Sequence, residues 1–240
     1  MMMSKLMTRL SQWRRLQGDP AAAYDRFIVE LSGDRAPWTV QSLRDMVRSL
    51  NPDLVFLMET KCKSHRIDSI KKMLDMHGLA VDSVGRSGGL ALLWKKSVSV
   101  TIQSFSNRHI DASIQADTRS PISRFSGIYG DPETSNRKNT WELLTRLKAQ
   151  SIRPWLCMGD FNEILEDSEK EGGNTRPTWQ MRDFRHALDL NGLFDLGFNG
   201  DPFTWSNRQE FPNTIRERLD RACADDNWIK LFPNAQVTHS

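Results

Sequence analysis

The sequence has few of the features that mark a disulfide-rich, zinc-binding or membrane protein. Its 240 residues include three cysteines, Cys62, Cys157 and Cys223, which are widely spaced and form no CxxC pair. An odd, scattered set of cysteines indicates neither a disulfide framework nor a zinc site, and it fits a reducing, intracellular compartment, nuclear or cytoplasmic. The longest apolar runs, Leu54–Met58 and Gly88–Trp94, are far shorter than the ~20 residues of a transmembrane helix, so we expect no membrane association.

The sequence also lacks an excess of charge outside its first residues. Residues 1–24 carry four basic side chains and one acidic side chain, whereas residues 25–240 carry 29 of each sign. A neutral chain gives little long-range attraction to nucleic acid, so binding of nucleic acid would depend on a local patch. We interpret 1–24 as a disordered basic leader, with an organelle-targeting peptide as the alternative, and 25–240 as one globular domain.

Hydrophobic periodicity predicts alternating strands and helices after the leader. The predicted helices are 38–50, 64–77, 136–148, 178–190 and 226–232, and Gly78 is expected to end the second. The predicted strands are 26–31, 54–58, 79–84, 89–94, 98–105, 110–115, 122–129, 154–158, 203–205 and 218–222. The five strands between 79 and 129 suggest an antiparallel meander. Together with the isolated buried strands, they favour an α/β (α+β) fold of two mixed sheets packed face to face, with helices outside.

The common phosphate-binding and zinc-protease motifs are absent from the sequence. It contains no GxxxxGKS/T, GxGxxG or HExxH pattern. The glycine-rich stretch at 85–89 is accounted for by a tight turn between strands, with a phosphate-binding loop as the less favoured alternative. Candidate catalytic or metal-binding residues therefore have to be found outside these motifs.

Two buried strands run directly into acidic residues. Glu59 follows 54–58, and Asp160 follows 154–158, with Asn162 two positions further on. Since residues two apart in an extended chain share a side, Asp160 and Asn162 are predicted to face away from Phe161. Carboxylates that meet at one sheet edge repel each other, and a divalent cation would offset this repulsion. Oxygen ligands without His or Cys favour Mg²⁺, with Mn²⁺ as a substitute, and suit phosphoryl chemistry.

Other residues extend this interpretation, and each has a structural alternative. A lone Glu59 is also explained by a solvated turn or a helix cap. The segment 216–221, Arg-Glu-Arg-Leu-Asp-Arg, is either a strand edge with internal ion pairs or a site in which Asp220 orients a catalytic group and Arg216 or Arg218 lies near phosphate. Tyr129 ends another predicted strand, where it either donates to a phosphate oxygen or packs in the core.

Seven stretches of the chain, taken in order, resemble one protein family. They are NPDLVFLMETK (51–61), VDSVGRSGGLALLWK (81–95), FSGIYGDPETSNRKNTWELL (125–144), RPWLCMGDFNEIL (153–165), EKEGGNTRP (169–177), FRHALDLNGLFDLGFNGDPFTWSN (184–207) and RERLDRACADDNWIKLFPNAQVTH (216–239). The chain resembles the endonuclease/exonuclease/phosphatase superfamily and, within it, the apurinic-type endonuclease domain of plant LINE-type (non-LTR) retrotransposons. The GDFN, TWSN and RLDR elements are specific in combination, although each is weak alone.

The resemblance implies a four-layered α/β sandwich, Mg²⁺-dependent cleavage of phosphodiesters, and DNA as the partner. Carried over by motif, it implies metal binding by Glu59, activation of water by Asp160, orientation of phosphate by Asn162, an active-site tyrosine at Tyr129 and orientation of a catalytic His by Asp220. We expect substrate binding by Arg216, Arg218 and Trp205.

Three departures from the family pattern affect the expected activity. The metal-binding Asn of the family's first strand corresponds here to Glu30, in FIVELSG (27–33). The family's catalytic His belongs to a Ser-Asp-His element that follows the VTH segment, whereas this chain stops at Ser240 and His239 belongs to the preceding strand. The leader 1–24 matches nothing in the family. We therefore expect a C-terminally truncated domain that lacks its last strand and has an unpaired sheet edge.

On these grounds we expect a monomeric nuclease domain that is weak or inactive, because the missing His removes general acid–base or electrostatic catalysis. The main alternative is a non-catalytic nucleic-acid-binding or interaction module that keeps the fold. An unselected pseudogene product and a lipid or small-molecule phosphodiesterase are further alternatives.

Overall fold

The structure of the protein is a computed structural model that describes residues 11–13, 28–32, 37–84 and 88–239. Within those ranges the chain forms five α-helices and sixteen strands, and none of these helices is both long and apolar enough to span a lipid bilayer. The helices are α1 (Pro37–Leu50), α2 (Ser64–Leu74), α3 (Arg137–Gln150), α4 (Thr178–Leu190) and α5 (Asp226–Leu231). The strands are β1 (Ser11–Trp13), β2 (Ile28–Ser32), β3 (Leu54–Met58), β4 (Met76–Val81), β5 (Leu90–Lys95), β6 (Ser99–Ser106), β7 (His109–Gln115), β8 (Ser123–Tyr129), β9 (Trp155–Asp160), β10 (Lys170–Glu171), β11 (Phe194–Asp195), β12 (Asn199–Gly200), β13 (Trp205–Ser206), β14 (Arg216–Glu217), β15 (Asp220–Ala224) and β16 (Val237–His239).

Two mixed sheets form the centre of the molecule. The larger sheet has six strands in the order β11-β15-β9-β8-β7-β6, in which β8 and β9 are parallel and all other neighbours are antiparallel. The smaller sheet has four strands in the order β2-β3-β5-β4, in which β2 and β3 are parallel. Two three-stranded sheets, β1-β16-β12 and β10-β14-β13, contain the remaining described strands.

Alternation of side chains along the strands produces four layers. Successive residues of a strand point to opposite faces, so each sheet presents one face to the other sheet and one face to helices. The core between the sheets includes Phe56, Leu92, Phe125 and Met158. The four-stranded sheet packs outward against α1 and α2 through a cluster that includes Val55, Leu57, Leu43 and Ile67. The six-stranded sheet packs outward against α3 and α4 through Trp155, Cys157, Leu144 and Phe184. The predicted α/β sandwich with outer helices is therefore confirmed.

The two sheets approach each other closely at one glycine of β8. A β-carbon at Gly127 would lie 2.4 Å from Cε2 of Phe56, whose ring is fully buried. Phe56 also meets the ring of Phe125 edge to face, with 5.8 Å between the ring centroids. Because glycine has no side chain, the Phe56 ring can lie directly against the backbone of β8. This contact sets β3 against β8, which lead to Glu59 and Tyr129 respectively.

A buried ion pair lies on the outer face of the six-stranded sheet. The guanidinium of Arg124 donates to both carboxylate oxygens of Asp111, from Nε over 2.8 Å and from Nη2 over 2.9 Å. The hydroxyl of Ser126 donates to the same carboxylate over 2.6 Å. Arg124 and Asp111 are almost fully buried, so each depends on the other to balance a charge that water cannot reach.

Asp111→Asn is expected to lower the free energy of unfolding by about 3–5 kcal/mol, because it leaves the Arg124 guanidinium buried without an opposing charge. Asp226→Asn is the control: the Asp226–Lys230 pair is exposed, so its loss is expected to have a much smaller effect. Urea denaturation of both variants measures the difference. Equal losses in the two variants would contradict the role assigned to burial.

The end of the second helix differs from the sequence prediction. We expected this helix to extend to His77 and to be ended by Gly78, but it ends at Leu74, and Asp75 is the left-handed residue that follows it, with φ of 54°. Gly78 instead lies in β4, where a β-carbon would lie 2.6 Å from Cδ2 of Leu93. This glycine is therefore explained by close packing within a sheet. The apolar spacing of 64–77 continues past the helix and so does not mark its end.

The strands predicted between 79 and 129 do not form a single meander. β4 and β5 belong to the four-stranded sheet, whereas β6, β7 and β8 form an antiparallel meander within the six-stranded sheet. Consecutive strands usually pair, but β5 and β6 do not, because the chain crosses from one sheet to the other between them. The local pattern predicts a strand without specifying its partner.

The structure describes only Ser11–Trp13 of the predicted leader, and the rest of 1–24 lies outside the described residues. These three residues form β1, which pairs antiparallel with β16 and places Ser11 opposite His239. β12 pairs with the other side of β16. β16 therefore has a partner strand on both sides.

Candidate active site

The adjoining ends of three neighbouring strands carry a row of polar side chains. Tyr129 ends β8, Asp160 ends β9, and Asp220 begins β15; the register pairs Tyr129 with Asp160, and Asp160 with Asp220. Alternate residues of a strand share a face, so the three lie on the face that Met158 and Ala222 present to the core between the sheets. The row therefore lies at the rim of the space between the two sheets.

Glu59 reaches this row from the other sheet. It directly follows β3, and its left-handed backbone, with φ of 47°, breaks the alternation of the strand and redirects the side chain. The hydroxyl of Tyr129 donates a hydrogen bond of 2.6 Å to Oε1 of Glu59. The backbone N–H of Asp160 meets Sδ of Met58 at 3.4 Å. The ends of β3, β8 and β9 thus converge, where the sequence predicted that Glu59 and Asp160 meet.

The chain turns sharply around Asp160. Gly159 has φ of 145°, and a β-carbon there would lie 1.9 Å from the carbonyl oxygen of Ile128, so glycine is required. Asn162 has a left-handed backbone, with φ of 54°, and its N–H donates to Oδ1 of Asp160 over 2.7 Å. The extended chain that we predicted for 160–162 is therefore wrong. Phe161 nevertheless points away from the rim, because it is buried in the core against α3 and α4.

Gly130 connects Tyr129 to this turn, and the motif reasoning misses it. Its N–H donates to the carbonyl of Asp160 over 2.6 Å, and its carbonyl accepts from Nδ2 of Asn162 over 3.0 Å. A β-carbon at Gly130 would lie 2.5 Å from the carbonyl oxygen of Phe161. The only sequence signal for this position is a glycine placed directly after the last residue of a strand.

Tyr129 is held in its neutral form. Burial raises the pKa of its hydroxyl, and the hydrogen bond to Glu59 and the negative charges of Glu59 and Asp160 raise that pKa further. The sequence left open whether Tyr129 donates to a phosphate oxygen or packs in the core; in this structure its ring belongs to the core between the sheets, and its hydroxyl donates to Glu59. A protonated tyrosine therefore orients the carboxylate from the opposite sheet.

The raised pKa of Tyr129 predicts a loss of stability in alkali. A raised folded pKa stabilises the fold fully below the unfolded pKa, about 10, and this contribution is lost progressively as the pH rises above that value. In a Tyr24→Phe background Tyr129 is the only tyrosine, so phenolate absorbance should appear only as the circular dichroism of the fold disappears. Tyr129→Phe should flatten the dependence of unfolding free energy on pH above about pH 10. A phenolate that forms near that pH in the folded protein would contradict this assignment.

The rim offers oxygen ligands for a hard cation. Glu59, Asp160 and Asn162 bring two carboxylates and an amide to it. Within the described ranges, no group of three or more His, Cys, Asp and Glu side chains is arranged to hold a metal ion. Mg²⁺ commonly binds through one or two carboxylates together with water and phosphate, so the donor set fits it. The side chain of Glu30 lies outside the described part of the chain, and its backbone pairs with Phe56 of β3.

The sequence matches one family model over most of its length. The model of the Endonuclease/Exonuclease/phosphatase family covers residues 35–237. The chain belongs to the endonuclease/exonuclease/phosphatase family. Among curated proteins, none matches the chain.

Three solved structures share the fold of this family member. The endonuclease domain of TRAS1, a telomere-specific non-LTR retrotransposon, is 12% identical with a TM-score of 0.65, and the match covers 85% of this chain and 86% of that one. The 3′ phosphatase NExo from Neisseria, bound to a product DNA hairpin, is 14% identical with a TM-score of 0.64, over 83% and 86%. An AP endonuclease from Archaeoglobus fulgidus is 15% identical with a TM-score of 0.64, over 82% and 85%. At these identities the likeness concerns the fold.

The backbone of the RLDR segment, residues 218–221, is anchored at the rim. Leu219 and Asp220 both donate their N–H groups to the hydroxyl of Thr204, each over 2.9 Å. The carbonyl of Leu219 accepts the N–H of Phe161 over 3.0 Å. These bonds fix the start of β15, and therefore Asp220, beside the turn that follows Asp160.

The arginines of the RLDR segment pair inside the protein. Arg218 donates to Glu169 and to Asp195, each over 2.9 Å, and Arg221 pairs with the same two carboxylates. Burial raises the pKa of the Asp195 carboxyl, but the positive charges of Arg221 and Arg218 outweigh this effect, so the pKa is lowered. Arg218, a candidate for substrate binding, is thus buried in internal ion pairs. That is the alternative that the sequence left open for this segment.

Arg216 and Trp205 lie on the small sheet β10-β14-β13. Arg216 pairs with Glu171, and its guanidinium carbon lies 4.8 Å from the centroid of the Phe203 ring. Trp205 lies opposite Glu217 in the register and is partly exposed. Two residues separate β14 from β15 along the chain, so this small sheet is close in sequence to Asp220 at the rim.

None of the five histidines, which all lie in the described part of the chain, forms a hydrogen bond with Tyr129 or Glu59. The ring nitrogens of His109 lie 3.0 Å and 2.8 Å from the hydroxyls of Ser104 and Ser106. His239 stacks on Phe198, with ring centroids 4.7 Å apart, and burial lowers its pKa. The other three are exposed: His65, His77 and His186.

Proposed function

We propose that this protein is a Mg²⁺-dependent phosphodiesterase that cleaves DNA internally and derives from the endonuclease domain of a LINE-type retrotransposon. The proposal is carried by the contact of Tyr129 with Glu59 beside Asp160 and Asn162, which joins the residues of separate family motifs at one rim. The solved relatives support DNA as the substrate, since one is a retrotransposon endonuclease domain, one is a phosphatase bound to a DNA product, and one is an AP endonuclease. The retroelement-like segments along the chain support the retrotransposon origin.

The side chains at the rim have separate tasks in phosphodiester hydrolysis. When bound, Mg²⁺ supplies neutralisation of the phosphate charge. Glu59 would hold the cation, with Glu30 as the second ligand at the family's position. Tyr129 keeps its proton and fixes Glu59, while Asp160 accepts a proton from the attacking water as general base. Asn162, held by its bond to the Gly130 carbonyl, orients the phosphate.

We also propose that turnover by this chain is slow. The family uses a histidine for acid–base or electrostatic catalysis, whereas none of the five histidines of this chain, all in its described part, forms a hydrogen bond with Tyr129 or Glu59. Glu30 stands in place of the family's Asn, which adds length and negative charge in the strand beside β3. Both differences act on the chemical step, so the main effect is expected on kcat.

Nicking of supercoiled plasmid tests the proposed reaction. The full chain is expected to nick slowly with Mg²⁺ and to stop when EDTA removes the metal. Glu59→Gln and Asp160→Asn are expected to lower the rate about 100-fold or more, because each removes a charged group that acts in the reaction. Glu142→Gln, a change of an exposed glutamate on α3, is the control and is expected to leave the rate unchanged.

Nicking that survives both substitutions, or that proceeds without a divalent metal, would contradict the proposed site. Salt-dependent DNA binding that needs no Mg²⁺ and leads to no cleavage would instead favour the non-catalytic binding module.

Chemical rescue tests the reason for slow turnover. Imidazole in solution is expected to raise the nicking rate, because it can supply an acid–base group in place of the family's histidine. Glu30→Asn is expected to raise the rate independently, by restoring the family's residue in the first strand. Tris at the same concentration and ionic strength is the control. A rate that responds neither to imidazole nor to Glu30→Asn would rule out this explanation.

A further inference from the structure

Arg108 contacts the rim from a neighbouring turn. It lies in the two-residue turn between β6 and β7, and its backbone carbonyl accepts the N–H of Tyr129 over 2.8 Å. Its guanidinium carbon lies 5.2 Å from the centroid of the Tyr129 ring. A cation at this distance is attracted by the negative face of an aromatic ring. Arg108 therefore meets Tyr129 through both its backbone and its side chain.

The same guanidinium holds the chain that follows Tyr129. Nη2 donates to Oδ2 of Asp131 over 2.9 Å, and Nη1 donates to the carbonyl of Gly130 over 3.4 Å. Asp131 is largely buried and is fixed from its other side, because its N–H donates to the hydroxyl of Thr140 in α3. An arginine fork that reaches two anchored acceptors is a more defined contact than an exposed ion pair.

The Gly130 carbonyl connects Arg108 to Asn162. It accepts from Nη1 of Arg108 and from Nδ2 of Asn162, while the Gly130 N–H donates to the carbonyl of Asp160. A shift of Gly130 would therefore displace both the Asn162 amide and the turn around Asp160. Arg108 thus contacts Tyr129 directly and is linked to Asn162 and Asp160 through Gly130.

From these contacts we propose that Arg108 is a positioning residue, which fixes the turn at 129–131 and, through the shared Gly130 carbonyl, the orientation of the Asn162 amide. The catalytic consequence rests on the proposed nuclease function, whereas the structural consequence does not. Lysine keeps the charge of Arg108 but has no fork to reach Asp131 and Gly130 together. Methionine keeps an unbranched chain and removes every donor.

The positioning is tested by NMR in a chain with a single tyrosine. Tyr24→Phe leaves Tyr129 as the only tyrosine, so ¹³C labelling of tyrosine reports on one ring. In that background Asp131→Asn keeps the Arg108 guanidinium but weakens the contact that holds it in place. This variant is expected to shift the Tyr129 ring signals in the same direction as Arg108→Met. Arg119→Met, which changes an exposed arginine in another turn, is the control and should leave the signals in place.

Urea denaturation accompanies each spectrum, so that a loss of folding is recognised. Arg108→Lys is the milder variant if Arg108→Met does not fold. Unchanged Tyr129 signals in folded Arg108→Lys and Asp131→Asn would overturn the proposal.

Kinetics on a labelled duplex separate positioning from substrate contact. Arg108→Met is expected to lower kcat for Mg²⁺-dependent nicking by about 10- to 100-fold, with little change in KM, because a displaced group acts on the chemical step. Arg108→Lys should recover part of the loss. The double variant Arg108→Met/Asp131→Asn should be no slower than Arg108→Met, because both changes remove the same contact.

A change confined to KM would overturn the positioning role, since it would indicate direct contact with substrate. Shifted Tyr129 signals in a chain that shows no Mg²⁺-dependent nicking would support the positioning and would count against the proposed function. The failure of one proposal is therefore distinguishable from the failure of the other.

Discussion

The hydrogen bond from Tyr129 to Glu59 joins the two sheets at their rim, and its donor and its acceptor reach the rim for different reasons. Tyr129 reaches the rim because alternation along β8 places it on the inner face, whereas Glu59 reaches it because the backbone turns left-handed after β3. Further into the sandwich, the contact of Phe56 with Gly127 sets the distance between the same two strands. A larger side chain at 127 would separate the sheets, and a phenol and a carboxylate from opposite sheets would no longer meet. The candidate site therefore depends on packing in the core.

Most elements of the fold follow from local pattern, but their pairing does not. Leu54–Met58 is apolar throughout, and the structure uses both of its faces, Phe56 toward the other sheet and Val55 toward the helices. The spacing of 178–190 predicts the bounds of α4 as they are observed. The pairing of β3 with β2 and β5 joins segments distant in the chain, and the pattern of each segment contains no information about the other. Gly78 illustrates the limit, since its close contact with Leu93 comes from such a pairing.

The same limit applies to the site. The positions of Glu59 and Asp160 at one rim were predictable, because each residue lies at the end of a buried strand and its place at a sheet edge follows from that strand. Gly130 and Arg108 were not, because their contacts arise only when the turns after β6, β8 and β9 come together. The arginines of RLDR show a further ambiguity: a sequence does not distinguish an arginine that binds phosphate from one that balances a buried carboxylate. Arg218 is of the second kind in this structure.

The carboxylates buried inside the protein and those at the rim accept hydrogen bonds from different kinds of donor. Asp111 and Asp195 accept from arginine side chains, which balance their charge inside the protein. At the rim, the Tyr129 hydroxyl donates to Glu59, and the backbone N–H of Asn162 donates to Asp160. The neutral Tyr129 hydroxyl fixes the Glu59 carboxylate in place and leaves its negative charge unchanged, so that charge can still attract a cation. The raised pKa of Tyr129 belongs to the same arrangement, because a phenol that keeps its proton adds no further negative charge to the rim.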